Sequence, residues 1–318
     1  MRDIFEVLRG SPGDAGHNKK GVIVQGITGA YGSLHTRNMI SYGTNIVAGV
    51  TPGKGGQRFD GAIPIYNTMS EAVEATGARI SAVFVPAKFF LGAAKEALEA
   101  GIELLVAIPE HIPIRDTMSA LDMAQKKDAR IIGPNTPGIM IPGIIKIGIM
   151  PPTPFKPGKI AVLSKSGTLL YEISDALSSA GFGQAITIGI GGDPVNGTRL
   201  IDAFEMVRDV PDIDGMVVVG EIGGDSEEML AQRIMDTGFA KPTVAYIAGR
   251  AAPKEKRMGH AGAIVMGTYG SAESKISMFN KANIPVAKRP AEVPVLLAKK
   301  MENGDGGSGG QGTTGGSD

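Results

Sequence analysis

Short apolar runs alternate with longer stretches of helical spacing from Gly21 almost to the end of the chain, and that alternation leaves few folds open. Residues 22–24, 45–50, 82–85, 104–106 and 129–132 are short and largely apolar, as expected of strands buried on both faces. Residues 32–42, 89–100 and 114–127 between them have the spacing of helices. The same rhythm returns later. Strands are expected at 160–163, 185–190, 216–219, 243–247 and 285–287, with helices at 168–180, 200–207, 226–237, 272–282 and 291–301. Strands and helices in strict alternation build parallel sheets covered by helices on both faces.

Two such units are separated by residues 150–158, which hold four prolines in nine positions. Proline fixes φ and lacks an N–H, so this segment suits neither a helix nor a central strand. It divides a first domain, 21–150, from a second, 151–302. Residues 1–20 form an N-terminal extension that mixes Arg2 and Arg9 with Asp3, Glu6 and Asp14 and has no apolar signal core. At the other end, eight of the sixteen residues 303–318 are glycine and none is a large apolar type, so a disordered tail is expected there.

Composition excludes several functions. Basic and acidic residues balance at 32 each, which argues against a nucleic-acid partner or a membrane surface. No apolar run reaches the ~18 residues that a membrane span needs, so a cytoplasmic protein is expected. The chain has no cysteine, which removes disulfides, thiolate catalysis and cysteine-ligated zinc.

The glycines are concentrated where strands end. Gly26-Ile27-Thr28-Gly29-Ala30-Tyr31-Gly32 joins the first strand to the first helix, placing backbone N–H groups and a helix dipole where a phosphate can sit. Its G-x-x-G-x-x-G spacing differs from the dinucleotide pattern G-x-G-x-x-G. No acidic residue closes the second strand to hold a ribose, and Lys54 stands in the turn there instead. A dinucleotide oxidoreductase is therefore disfavoured, and a phosphate-bearing nucleotide is favoured. Ser164-Lys165-Ser166-Gly167-Thr168 opens another helix and offers hydroxyls and unpaired N–H groups to an anion. Gly133-Pro134-Asn135-Thr136-Pro137-Gly138 reads as a rigid turn with a small polar face. Gly189 to Pro194 and Gly220 to Asp225 each end a strand with a glycine pair and a carboxylate, and Glu221 directly follows its strand.

His260 lies in Met258-Gly259-His260-Ala261-Gly262-Ala263, where the flanking glycines free the backbone to present the ring. Base, metal ligand and phosphoryl carrier are the possible roles. No metal is expected, because H-E-x-x-H and cysteine ligands are both missing. Ser166 lacks the first glycine of a G-x-S-x-G elbow. An imidazole beside an anion-binding helix start and an acidic partner suits a group that accepts and donates phosphoryl, with Glu221 fixing its tautomer. His17, His35 and His111 carry no comparable context.

Together these motifs, in this order from about Gly21 to about Lys300, resemble the α subunits of succinyl-CoA synthetase (succinate–CoA ligase, ADP- or GDP-forming). The resemblance implies an α/β chain with an N-terminal Rossmann-like CoA-binding domain followed by a flavodoxin-like doubly wound parallel-sheet domain. It implies that Thr28, Gly29, Ala30, Tyr31, Lys54, Ile108, Pro109 and Glu110 bind coenzyme A. His260 would be transiently phosphorylated beside Glu221, with Ser164, Lys165, Ser166 and Gly167 at the phosphate. Tyr171, Asn135 and Thr136 would lie near the acyl substrate, Thr136 replacing a cysteine common in the family. A β subunit with an ATP-grasp domain would supply ATP or GTP and Mg²⁺, since nothing in this chain resembles such a domain. Succinate is the expected acid. Malate–CoA ligase and citryl-CoA synthetase subunits share the motifs, and a non-catalytic CoA-binding regulator is disfavoured by His260 and Glu221.

Overall fold

The computed structural model describes residues 4–9, 21–250, 260–263 and 270–305. The expected disordered tail beyond residue 305, most of the N-terminal extension, and the basic stretch before His260 lie outside the described residues.

In the first domain the chain runs β1 (Val22–Gln25), α2 (Ala30–Tyr42), β2 (Ile46–Val50), β3 (Arg58–Phe59), β4 (Ile63–Tyr66) and α3 (Met69–Thr76). It continues through β5 (Ile80–Val83), α4 (Phe90–Glu99), β6 (Leu104–Ala107), α5 (Ile114–Lys126) and β7 (Arg130–Ile132). The sheet order is β3-β4-β2-β1-β5-β6-β7, parallel except for the antiparallel edge pair β3–β4. From β1 the chain moves outward to β2 and β4, then crosses to β5 on the other side of β1. Strand order therefore reverses between β1 and β5, leaving a crevice at the carboxyl ends of these strands, where ligands of doubly wound sheets bind. All four residues of β1 and of β5 are buried, as the continuous apolar runs required. β5 begins two residues before its expected start because Ile80 and Ser81 join the ladder with Val22 and Ile23. β3, β4 and α3 gave no clear pattern, since β3 has only two residues and β4 contains Pro64.

The second sheet contains β8 (Gly138–Ile141), β9 (Ile145–Gly148), β10 (Pro157–Ser164), β11 (Gln184–Gly189), β12 (Gly215–Glu221), β13 (Thr243–Ala248) and β14 (Val286–Ala287). Its helices are α6 (Gly167–Ser179), α7 (Leu200–Val207), α8 (Ser226–Thr237), α9 (Ala272–Lys281) and α10 (Val293–Asp305). The order β14-β13-β12-β10-β11-β8-β9 places β10 to β14 in the flavodoxin-like arrangement, with its switch point between β10 and β12.

The boundary expected at 150/151 does not follow the sheets. The hairpin β8–β9 precedes the proline-rich segment in sequence, yet pairs antiparallel with β11 through Met140–Thr187 and Ile139–Ile188. The chain passes between sheets at 133–137, where the first strand system ends and Thr136 Oγ1 donates to the Gly189 carbonyl and accepts from Gly138 N–H. Prolines mark a place where regular structure stops, which need not be where one core ends. Two smaller differences lie at the termini. Helix α10 continues to Asp305, past the expected start of the tail. The first helix, α1 (Ile4–Arg9), buries Ile4, Phe5 and Leu8 in one cluster with Leu104 and Phe204, so part of the extension belongs to the packed body.

The first glycine loop shows why two of its glycines, Gly26 and Gly32, are needed. Gly26 has φ +81°, Gly29 is the N-cap of α2, and Gly32 faces the Gly26 carbonyl so closely that a Cβ there would overlap it. Gly32→Ala should therefore push the start of α2 off β1, at a cost of about 1–3 kcal/mol typical of overpacking. Thermal denaturation checks this, and an unchanged midpoint would mean that the contact relaxes freely.

Candidate functional site

A cavity of about 620 Å³ lies where carboxyl ends of both sheets converge. The first domain contributes Tyr31 at the start of α2, Phe84 to Ala87 after β5, and Ile108, Pro109 and Glu110 after β6. The crossing turn adds Asn135, Thr136 and Pro137, and the second domain adds Gly167, Thr168, Tyr171 and His260. Residues more than 200 positions apart thus line one space. The Tyr171 phenol is pushed up to about 12, first by burial and then by the neighbouring Tyr31, so it is a neutral hydrogen-bonding group near neutral pH.

His260 is part of the lining of this cavity. Its Nδ1 is 2.8 Å from Glu221 Oε2, and Glu221 is the last residue of β12, at the switch point of the second sheet. A carboxylate only accepts hydrogen bonds, so in the neutral ring Nδ1 carries the proton and Nε2 keeps its lone pair. The ring packs over Gly192, where a Cβ would overlap it. The Gly262 amide donates to the Gly192 carbonyl at 3.2 Å, tying the loop to the end of β11. The hydrogen bond to Glu221 raises the His260 pKa above its ordinary 6.5, while burial and Lys165 oppose that rise and Asp193 adds to it. Asp193 is in turn held by Asn135 Nδ2 at 2.9 Å.

The start of α6 reaches the same cavity, with the unpaired N–H groups of a helix N-terminus. Ser166 caps α6 by accepting the Leu169 amide at 3.3 Å, and Gly167, the first helical residue, faces the cavity with no Cβ in the way. Lys165 reaches inward, 3.9 Å from Glu221 Oε1 and 3.5 Å from Glu227 Oε1. Ser164 has a different place. It is fully buried, and its hydroxyl donates to the Ser166 carbonyl while accepting from the Ser166 amide, so it shapes the turn and does not face the cavity.

The first-domain residues divide similarly. Tyr31, Ile108, Pro109 and Glu110 line the cavity. Thr28, Gly29, Ala30 and Lys54 lie outside its lining but on the same carboxyl edge. Thr28 Oγ1 is 3.2 Å from Thr51 Oγ1, and Lys54 is exposed in a turn held by Asn67 Oδ1, which accepts from the Gly53 and Gly55 amides. Sequence reasoning passed over two residues behind Glu221, namely Glu227 and Lys275, both without exposed surface. The available signal was helical phase, since Lys275 shares the buried face of α9 with Ala272 and Phe279. Among the described residues no group of three or more His, Cys, Asp or Glu side chains could hold a metal ion, and no helix is long and apolar enough to cross a membrane.

Comparison with known proteins fits this arrangement. The family described as CoA binding domain matches residues 17–111, and that described as CoA-ligase matches 163–283. Fold and site together define a subunit of the acid–CoA ligases, with a CoA-binding layer and a ligase layer in one chain. The succinate–CoA ligase [ADP-forming] α subunit of Aquifex aeolicus is 49% identical over 88% of this chain and 92% of its own length. That of Methanothermobacter thermautotrophicus is 49% identical over 85% and 91%. This chain belongs to the family of succinate–CoA ligase α subunits. Among solved structures, ATP citrate lyase from Methanothrix soehngenii, in complex with citrate and coenzyme A, superposes with TM-score 0.80 at 26% identity. The match covers 90% of this chain, which spans about half (50%) of the lyase chain. A dinucleotide-forming acetyl-coenzyme A synthetase from Ca. Korarchaeum cryptofilum, at 19% identity and TM-score 0.69, shares the fold.

The His260–Glu221 pair predicts a pH signature. A raised imidazole pKa means that the pair contributes stability below the ordinary value of 6.5, and that this contribution is lost as pH rises through the folded value. Glu221→Gln keeps an acceptor at Nδ1 but removes the charge. The ring titration of His260, followed by NMR, should move to lower pH in this variant. A titration at or above the wild-type midpoint would contradict the assigned coupling.

Proposed function

We propose that this chain is the α half of an ADP-forming ligase that interconverts succinate, coenzyme A and ATP with succinyl-CoA, ADP and phosphate through a phosphorylated His260. The observation that carries the reading is the single cavity joining the CoA-side residues Tyr31 and Ile108 to His260, with Glu221 at 2.8 Å behind the ring.

The chemistry follows from the groups present. A carboxylate is a poor acylating agent, because its leaving group would be oxide. Nε2 of His260 attacks the terminal phosphorus of ATP, the P–O bond to ADP breaks, and a P–N bond forms. Glu221 holds the Nδ1 proton throughout and balances the imidazolium charge that develops. The N–H groups at the start of α6 and the Lys165 ammonium meet the phosphoryl oxygens. A succinate oxygen then attacks phosphorus, the P–N bond breaks, and succinyl phosphate forms beside Tyr171, Asn135 and Thr136. The thiolate of coenzyme A attacks the acyl carbon, and inorganic phosphate leaves. Each step runs equally in reverse. Coenzyme A is read as lying along the carboxyl edge of the first sheet, its phosphates toward Thr28 to Tyr31 and Lys54, its thiol arm in the cavity.

The nucleotide and Mg²⁺ are assigned to a β subunit with an ATP-grasp domain, and the assembly to the cytoplasm. Succinate and ADP are preferred to malate, citrate and GDP because the curated relatives carry succinate and ADP in their names.

Two experiments test this. Co-produced with its β partner and given γ-labelled ATP, the wild-type chain should acquire an acid-labile, base-stable phosphate that succinate plus coenzyme A discharge. His260→Asn should acquire none while binding coenzyme A normally, and full turnover by that variant would end the phosphohistidine reading. Lys54→Ala should weaken coenzyme A by about tenfold, the scale of one charge-assisted contact worth roughly 1.4 kcal/mol, and leave the succinate KM unchanged. An unaltered CoA affinity would remove Lys54 from the site.

A further inference from the structure

The charges behind His260 continue past Glu221. Glu227 and Lys275 have no exposed surface, so both charged groups are kept away from water, where they are stable only if paired. Lys275 Nζ is 2.6 Å from Glu227 Oε2, 2.8 Å from Glu228 Oε2 and 2.9 Å from the Gly224 carbonyl. Its three protons are thereby all committed. Burial works against this ammonium, and the two carboxylates more than offset it, so its pKa is raised and it stays charged.

The other oxygen of Glu227 faces the reaction centre. Oε1 accepts the Glu221 amide at 3.0 Å and stands 3.5 Å from Lys165 Nζ. Lys165 is also 3.9 Å from Glu221 Oε1, a buried atom that receives no hydrogen bond among the described residues. The Lys165 ammonium therefore hangs between two carboxylates, farther from each than an ordinary N–H···O bond.

We infer that Lys275 is a positioning residue for phosphoryl transfer at His260: by balancing Glu227, it stops Lys165 from closing onto that carboxylate and keeps its ammonium available to the phosphoryl group. The inference rests on the proposed role of His260. A second link strengthens it. Lys275 lies in α9, just after the segment that carries His260, and its bond to Gly224 joins the Gly223 amide's bond to Gly270 in pinning this return to the end of β12. Both members of the His260–Glu221 pair are thereby referred to one fixed point. A buried ion pair contributes little to stability compared with an apolar pair of equal volume, so a stabilising role alone accounts poorly for its presence.

The test uses the complete enzyme and a rapid-quench measurement of His260 phosphorylation from ATP, with CoA affinity measured in parallel. Lys275→Met should slow phosphorylation by at least tenfold, about 1.4 kcal/mol in the barrier, with CoA affinity within twofold of wild type. Adding Glu227→Gln, which removes the carboxylate that Lys275 balances, should recover most of that rate. A purely structural role would show as a loss and recovery of thermal stability and CoA affinity in step with the rate, because Glu227→Gln also removes the unpaired buried charge. The inference requires the rate to fall and recover while CoA affinity stays within twofold. Wild-type rate in folded Lys275→Met, or a double variant no faster than the single one, would overturn the inference. If Lys275→Met does not fold, Lys275→Gln, which keeps a hydrogen-bonding side chain without the charge, takes its place, and a wild-type rate in that variant, or no gain on adding Glu227→Gln, overturns the inference. Absence of label on the wild-type enzyme would instead count against the phosphohistidine reading itself.

Discussion

A carboxylate that can only accept a hydrogen bond dictates the state of the imidazole beside it. The 2.8 Å contact between Glu221 Oε2 and His260 Nδ1 keeps the proton of the neutral ring on that nitrogen and leaves the lone pair on the other. Most of the second domain serves that geometry. Glu221 stands at the end of a strand buried along its whole length, at the point where strand order reverses. Gly192 lies under the ring because any side chain there would displace it. Lys165 stands within the turn that the Ser164 hydroxyl closes, just before the start of α6.

The first domain contributes no residue to that pair, yet the cavity has no wall without it. Its crevice opens at the carboxyl edge of its own sheet, and the second sheet presents its carboxyl edge to the same space. Two sheets of different winding therefore share a site because in both the strands point toward it. An extended thiol substrate can cross from one to the other, which a single doubly wound sheet, with one crevice, would not allow as readily.

Much of this was legible in the chain. Strands buried on both faces read as unbroken apolar runs, and β1, β6, β10 and β12 were found by that signal alone. The glycine loops, Glu221 and His260 stood out because their residue types are specific to sharp turns and to proton or phosphoryl chemistry. What escaped did so for identifiable reasons. β3 and β4 are too short to show a period. The β8–β9 hairpin looks like any pair of short apolar strands, and nothing local says which sheet's edge it will join. Ser164 sits in a motif with two other polar residues, and only the direction of its side chain separates a turn-former from a ligand. Lys275 is one charged residue on an otherwise ordinary amphipathic helix, and its importance depends on Glu227, some 50 positions earlier, meeting it in space.

The hairpin has one more consequence. Its two strands are encoded upstream of the proline-rich segment, but they complete the far side of a sheet whose other strands are encoded downstream. A gene divided at that segment, where a reader of the sequence would place the cut, would leave β11 as a bare edge on one product and two unpaired strands trailing from the other. Exposed edges of that kind invite pairing between molecules. The two halves are therefore not interchangeable modules, and recombination between relatives should be tolerated at the 133–137 crossing more readily than at the prolines.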